Sequence, residues 1–275
     1  SLTARSTQVP AELAEVVARA MHVDLSIRYQ TVQAFAAAAR AKGVKIFQDS
    51  MVKSIAVQDG VVRGVETAQG RIDCDIVVLS AGLWSRDLAR TCGVRLPMYA
   101  LEHQYIITKP HGISRELPLF LSYDDQLYGR EEVGGLMIGS LDDDAIALPA
   151  AALPQNFSFA LLNERWPQFE PYMATAMRRF PVMRQAEIKM LLNGPESFTP
   201  DGQMLLGPAP GVSGLYTACA FNSNGMALAP AAGRYVAEWI VEGEPSADVA
   251  PLDVRRFSPP QAAEGYMRAR ASEIP

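Results

Sequence analysis

Apolar residues recur at helical spacing over residues 9–21, where Pro10 stands near the start and Leu13, Val16, Val17 and Ala20 share a face. His22-Val23-Asp24 breaks the pattern. A second helix is predicted from Arg28 to Lys42, with Val32, Phe35, Ala36 and Ala39 as its apolar stripe and Gly43 as its C-terminal cap. The period then shortens to two. A short strand is predicted at Val44–Phe47, and longer ones at Val52–Val57 and Val61–Thr67. The linking Asp59-Gly60 is a hairpin signal, because type I′ turns need two left-handed residues. Arg71–Asp73 adds a third short strand. Ile76–Leu79 is wholly apolar and ends at Ser80-Ala81-Gly82, before a short helix over Trp84–Cys92. A buried strand that passes through small residues into a helix is the βα turn of a nucleotide-binding sheet.

From Leu101 the texture changes. Tyr105–Thr108, Leu119–Ser122 and Leu136–Ile138 read as short strands divided by Pro, Gly and Asp, which predicts an antiparallel sheet inserted into an α/β fold. Residues 156–180 read as partly helical around Phe157, Leu161, Leu162 and Trp166, interrupted by Pro167 and Pro171. Ile188–Leu192 is a further strand, and Gly194–Gly202 a turn-rich loop. Leu215–Ala218 is a strand, followed by Asn222-Ser223-Asn224-Gly225 and a helix to Val241 with Ala229, Ala232, Val236, Trp239 and Ile240 on one face. The tail after Glu242 is rich in proline and polar residues.

The 275 residues are 49% hydrophobic and 20% charged, so a packed core is expected and disorder is not. A formal net charge of -5 argues against a nucleic-acid binder. No apolar run reaches the roughly 18 residues of a membrane span, and no signal-peptide pattern is visible. Cys74, Cys92 and Cys219 form no CxxC pair, which argues against a zinc site or disulfide framework and for a reducing, cytoplasmic setting. Cys74 and Cys219 lie in strand-like runs and read as buried thiols.

Four groupings could carry chemistry, and each also has a purely structural reading. The Ala81-Gly82 turn lets a ligand approach the backbone at a helix start, or simply packs tightly. The Asn222–Gly225 turn presents unpaired first-turn N–H groups to an electron-rich ring edge or oxyanion, or is plainly capped by Ser223 or Asn224. His103, at a strand start, can shuttle protons or be a satisfied structural histidine. Tyr128-Gly129-Arg130 suits a small carboxylate, which a guanidinium grips through two bonds, or is an exposed turn. Asp142-Asp143-Asp144 lacks the spacing of a calcium loop, so no metal is expected. There is no G-x-S-x-G, H-E-x-x-H, Walker loop or G-x-G-x-x-G.

In order, the segments Val77–Ser85, Glu102–Tyr105, Gly194–Gly202 (GPESFTPDG) and Phe221–Gly233 resemble the D-amino-acid oxidase superfamily of FAD enzymes, most closely its dimethylglycine and sarcosine dehydrogenase branch. The resemblance implies an α/β (α+β) fold: a partial Rossmann-like FAD-binding domain in three layers, with an inserted antiparallel-sheet substrate domain. The expected division is 1–96 and 194–257 for the FAD-binding parts, 97–193 for the substrate domain and 258–275 for a tail. It implies FAD as cofactor, with Val52 beside the adenine, Ala81, Gly82 and Trp84 on the adenosine side, and Asn222, Asn224, Gly225 and Met226 at the isoalloxazine ring. His103 and Tyr128 become the catalytic candidates. Tyr105 and Arg130 become substrate-binding candidates, with Arg130 as carboxylate partner. The implied reaction passes a hydride from an N-methylated amine to the flavin.

Members of this superfamily begin with a βαβ unit bearing the dinucleotide fingerprint, and that motif does not occur in these residues. The FAD pyrophosphate anchor is therefore expected in a further segment or a partner subunit. The alternative expectation is a non-catalytic remnant of the fold. No nucleic-acid partner and no membrane span are expected.

Overall fold

The computed structural model describes residues 29–271 apart from 155 and 159, together with Arg19 and Ser26. Apart from Arg19, the helix expected over residues 9–21 lies outside the described residues, as does His22-Val23-Asp24. The chain divides into two compact units, Ser1–Leu96 with Gln203–Ser258, and Pro97–Gly202 with Pro259–Pro275.

In the first unit, α1 spans Val32–Ala41. The Thr31 side-chain oxygen accepts from the Ala34 N–H at 3.1 Å and so satisfies one orphan donor of the first turn. Gly43, at φ 89°, follows the C-terminal cap. The predicted strand at Val44–Phe47 does not form. No strand pairs with it among the described residues, and Ile46 and Phe47 are exposed. Strands β1 (Val52–Gln58), β2 (Val61–Thr67) and β3 (Gly70–Asp73) make an antiparallel sheet in that order. Asp59 and Gly60 both have positive φ, 53° and 72°, which is the backbone a type I′ hairpin requires. Strand β4 (Val77–Leu79) leads through a 3-10 turn at Gly82–Trp84 into α2 (Ser85–Arg90), so the helix expected over Trp84–Cys92 is shorter and starts later.

The second unit is built on five strands: β5 (Tyr99–Thr108), β6 (Phe120–Ser122), β7 (Leu127–Glu132), β8 (Gly135–Ser140) and, after α3 (Trp166–Arg179), β9 (Ile188–Phe198). Their order is β6-β7-β8-β5-β9, all antiparallel. Three expectations change here. Tyr128-Gly129-Arg130 is part of strand β7 rather than a turn. Gly194–Phe198 is not loop, because each residue pairs with one of β5, from His103 to Tyr99. A boundary at 193/194 would thus cut a strand. Pro195 misleads a sequence reading, yet it is tolerable because β9 lies at the sheet edge, where one side needs no ladder donor. Finally, α3 begins at Trp166, so Phe157, Leu161 and Leu162 are not helical. Pro167 falls in the first turn, where its missing N–H costs nothing, and Pro171 forfeits one helical bond inside. One sheet face and α3 enclose a core of Ile106, Leu127, Ile138, Leu191, Phe169 and Met173.

The chain then adds β10 (Leu205–Pro208) and β11 (Leu215–Cys219) to the first unit. Strand β11 pairs antiparallel with β10 and parallel with β4. Helix α4 (Gly225–Glu242) ends at Gly243, whose φ of 92° provides the left-handed cap. It packs Ala232, Val236 and Trp239 on Leu206 and Ala218. The tail is folded as far as Ala271. It forms 3-10 turns and a last helix, α5 (Glu264–Ala271), whose Met267 and Ala271 pack on Tyr99, Leu101 and Phe198. Of the two thiols expected to be buried, Cys219 is, whereas Cys74 is partly exposed at the exit from β3.

Candidate active site

In the first unit, β4, β11 and the start of α4 border an apolar cavity of about 430 Å³, lined in part by Ser80, Gly82, Ala218, Gly225, Ala229 and Gly233. Glycine and alanine share its wall with the larger side chains of Val78, Phe221, Val236 and Ile240. The loop before α4 is unusual. Ala220, Asn222 and Ser223 all have positive φ, between 49° and 64°, although none is glycine. Such residues cost on the order of 1 kcal/mol each and persist where a site fixes the backbone. The Asn222 amide donates to Ala220 O at 2.7 Å and the Asn224 amide to Asn222 O at 2.7 Å, which holds that path. Asn224 occupies the N-cap position, but its side chain makes no capping bond, so the simple capping reading of that residue does not apply. The cavity runs along the 18-residue helix from Gly225 to Ile240, so the positive end of α4 stands at one end of it. These features fit a flat apolar ring with an electron-rich edge. Of the candidate cofactor residues, Gly82 and Gly225 line the cavity. Ala81 precedes Gly82, Val52 opens β1, Trp84 is half exposed, and Met226 is 99% exposed at the helix start.

The second unit brings its four candidates to one sheet face. Side chains alternate along a strand, and paired residues share a face. Tyr128 and Tyr105 both pair with Gly139, and His103 lies two residues before Tyr105. Arg130 follows Tyr128 on the same side of β7. This face is opposite to the one α3 covers. The Tyr128 ring lies across β8: a Cβ on Gly139 would stand 2.1 Å from it, so only glycine lets the ring pass. Its hydroxyl thereby comes within 2.8 Å of His103 Nε2. On the far side His103 stands nearly parallel to Phe198, at 6.1 Å between centroids. Arg130 is half exposed and ion-paired with Glu132 at 2.7 Å.

Burial is the main cause that lifts the Tyr128 phenol well above its ordinary range, followed by the negative charge of Glu196 and the neighbouring Tyr105. The same burial and charge raise Tyr105, while Arg130 opposes the rise. Both phenols therefore hold their protons at neutral pH, which makes Tyr128 available as a donor to His103. Next to His103, but pointing to the other face, Glu102 is buried. It accepts two bonds from Arg165, at 2.5 and 2.8 Å, and one from Asn193 at 2.7 Å. Asp142 of the acidic loop accepts from Tyr172 and Gln168, a structural use. Glu196, Phe198 and Gly139 escaped the sequence reading. The alternation Gly194, Glu196, Phe198 was the available signal, and Pro195 hid it.

The chain matches the FAD dependent oxidoreductase family over residues 11–239, and the FAD dependent oxidoreductase central domain over 242–275. It is 38% identical to 4-methylaminobutanoate oxidase (formaldehyde-forming) of Paenarthrobacter nicotinovorans, over 87% of this chain and 29% of that protein. It is 34% identical to the mitochondrial pyruvate dehydrogenase phosphatase regulatory subunit of Mus musculus, over 88% and 28%. It is also 34% identical to the mitochondrial sarcosine dehydrogenase of Homo sapiens, over 82% and 25%. Among solved structures, L-proline dehydrogenase from P. horikoshii superposes with a TM-score of 0.68 at 24% identity, covering 82% of this chain and 58% of that one. The fold is thus that of FAD-dependent oxidoreductases with an inserted antiparallel sheet. The chain belongs to the FAD dependent oxidoreductase family and spans under a third of the length of those three relatives.

Proposed function

We propose that this chain provides the substrate face and part of the flavin site of an FAD-dependent enzyme that oxidises N-methylated amino acids or similar secondary and tertiary amines. The observation that carries the reading is the His103–Tyr128 pair, 2.8 Å apart on the sheet face that α3 leaves open. Sarcosine, dimethylglycine and 4-methylaminobutanoate are the substrates first to be tried. Gly82, Gly225 and the start of α4 would hold the flavin ring, and Val52, Ala81 and Trp84 would attend its adenosine part. Bound FAD supplies the hydride acceptor.

The protein's own task is to prepare the amine. Only a neutral amine has the lone pair that drives hydride loss from the adjacent carbon, so an ammonium must first lose a proton. Tyr128 holds its phenolic proton and, when His103 Nε2 carries none, donates it there. It can therefore take the amine proton on oxygen as it passes its own to the imidazole. Arg130 retains donor N–H groups beyond the corner that faces Glu132, enough to hold a substrate carboxylate. Tyr105 borders the same space.

The test is anaerobic mixing of the FAD-loaded protein with each of the three amines. Loss of the visible flavin band is expected with at least one, and the His103→Ala protein should bleach far more slowly. Retained flavin that no N-methylated amine bleaches would overturn the reading. That outcome would favour the second one, a partner-dependent and non-catalytic use of the fold, which the similarity to a phosphatase regulatory subunit supports. The segment or partner that anchors the FAD pyrophosphate also belongs to this proposal.

A further inference from the structure

Among the described residues, the His103 ring makes one hydrogen bond, between Nε2 and the Tyr128 hydroxyl at 2.8 Å. A histidine that moves protons is commonly held at its other nitrogen too, because that second bond fixes the tautomer and the ring plane. No carbonyl or carboxylate of the described residues does this for His103 Nδ1. The strand opposite gives no hold either, since His103 pairs with Gly194, which has no side chain. The ring that remains is Phe198. It stands 6.1 Å from the imidazole between centroids, with 12° between the planes. Offset-stacked rings lie in this range. A flat neighbour restrains the tilt of the imidazole, and that tilt aims Nε2 at Tyr128.

Phe198 is itself fixed. It is 5% exposed and packs with Tyr99, Leu101, Met267 and Ala271. The last two belong to α5, inside the stretch that matches the central-domain family. At the opposite end of the pair, Tyr128 passes over Gly139, where any side chain would block it. The imidazole therefore stands between two rings that packing has already placed.

We propose that Phe198 is the positioning residue of His103: its stacked ring does the work that a hydrogen bond to Nδ1 would otherwise do. Phe198 acts through the His103–Tyr128 pair. This rests on the amine-oxidation reading and adds to it the group that aims the imidazole, backed by a helix from the far end of the chain.

Phe198→Leu keeps an apolar side chain against α5 and removes the flat face, whereas Phe198→Tyr keeps the face. Phe198→Met serves as a second aliphatic variant should the leucine protein not fold. The FAD-loaded proteins are mixed anaerobically with the amine that bleaches the wild type best. Phe198→Leu should lower the limiting rate of flavin reduction by roughly tenfold to a hundredfold, the effect of a misplaced catalytic group, and leave the amine Kd within about twofold. Phe198→Tyr should stay within about threefold of the wild-type rate. In a Tyr128→Phe background the leucine change should cost less than about threefold more, because the pair through which Phe198 acts is already broken. A merely structural loss would reappear there in full.

Nitrogen NMR of histidine-labelled protein reads the ring without substrate. The neutral His103 imidazole should show one tautomer in the wild type and in Phe198→Tyr. It should show a mixture in Phe198→Leu and in Tyr128→Phe. If no amine bleaches the flavin, the oxidation reading falls and these spectra alone decide the role of Phe198. A wild-type spectrum in the aliphatic variants, a rate loss that Phe198→Tyr shares, or an undiminished loss in the Tyr128→Phe background would overturn the proposal.

Discussion

Replacing Arg165 by alanine should destabilise the second unit more than neutralising Glu102, although Arg165 is the more exposed partner. The Glu102 side chain is 4% exposed and that of Arg165 47%. Three bonds reach the carboxylate, two from Arg165 and one from Asn193. Without Arg165 the charge remains buried beside a single neutral donor. Leaving such a carboxylate without its cation costs about 3 kcal/mol, at the low end for buried pairs because half of the arginine already faces water. In Glu102→Gln the arginine turns to solvent, and an amide oxygen still accepts from Asn193. The loss is then one charge-assisted interaction at a half-exposed partner, about 1 kcal/mol. The double change Glu102→Leu with Arg165→Met removes both charges and should recover much of the Arg165→Ala loss. Urea unfolding of the four proteins, followed by tryptophan fluorescence, reads these differences. If Arg165→Ala stays within about 0.5 kcal/mol of the wild type, or Glu102→Gln is the worse of the two, the assignment of the cost to carboxylate burial is wrong.

Three more expectations follow from single groups. Burial pushes the Cys219 thiol up to about 12, so it should resist iodoacetamide at pH 8 in the native protein and react once urea is added, whereas early labelling of Cys219 would contradict its packing. Because the folded value lies above the ordinary 9.0, the stability it contributes is complete below pH 9 and is lost as pH rises toward 12, which alkaline unfolding should show. Tyr128→Phe should slow flavin reduction by roughly 10²–10⁴-fold with little change in stability, and a rate within threefold of wild type would remove the phenol from proton transfer. Gly139→Ala forces a methyl into the Tyr128 ring and should cost about 1–3 kcal/mol, together with the His103 bond, visible as a shift of the imidazole resonances.

The local elements were legible where chemistry is local. Asp59-Gly60 announced its hairpin because two left-handed residues in sequence leave the chain little choice. Gly43 marked the end of α1, whereas its start falls at Val32 behind the Thr31 cap, later than the expected Arg28. The apolar run before Ala81-Gly82 and the Asn-rich turn before α4 placed both borders of the first unit's cavity. Strand β7 was missed because its residues Leu127–Glu132 alternate weakly and carry two glutamates at the end. The sheet creates its burial, as Leu127 is covered only when α3 arrives. Val44–Phe47 failed in the opposite way, since apolar residues alone cannot make a strand that nothing pairs.

What the sequence determined by itself was therefore the family, most of the local elements, and the candidates for chemistry, His103, Tyr105, Tyr128 and Arg130, which lie within 28 positions of one another. Tertiary structure decided which of them meet. His103 and Tyr128 lie 25 residues apart, and they touch only because β5 and β7 both flank β8 and Gly139 leaves the space between them empty. Glu196 reaches their face through its pairing with Leu101, 95 residues earlier. Pairings of that range depend on the whole sheet closing at once, so no local pattern can encode them.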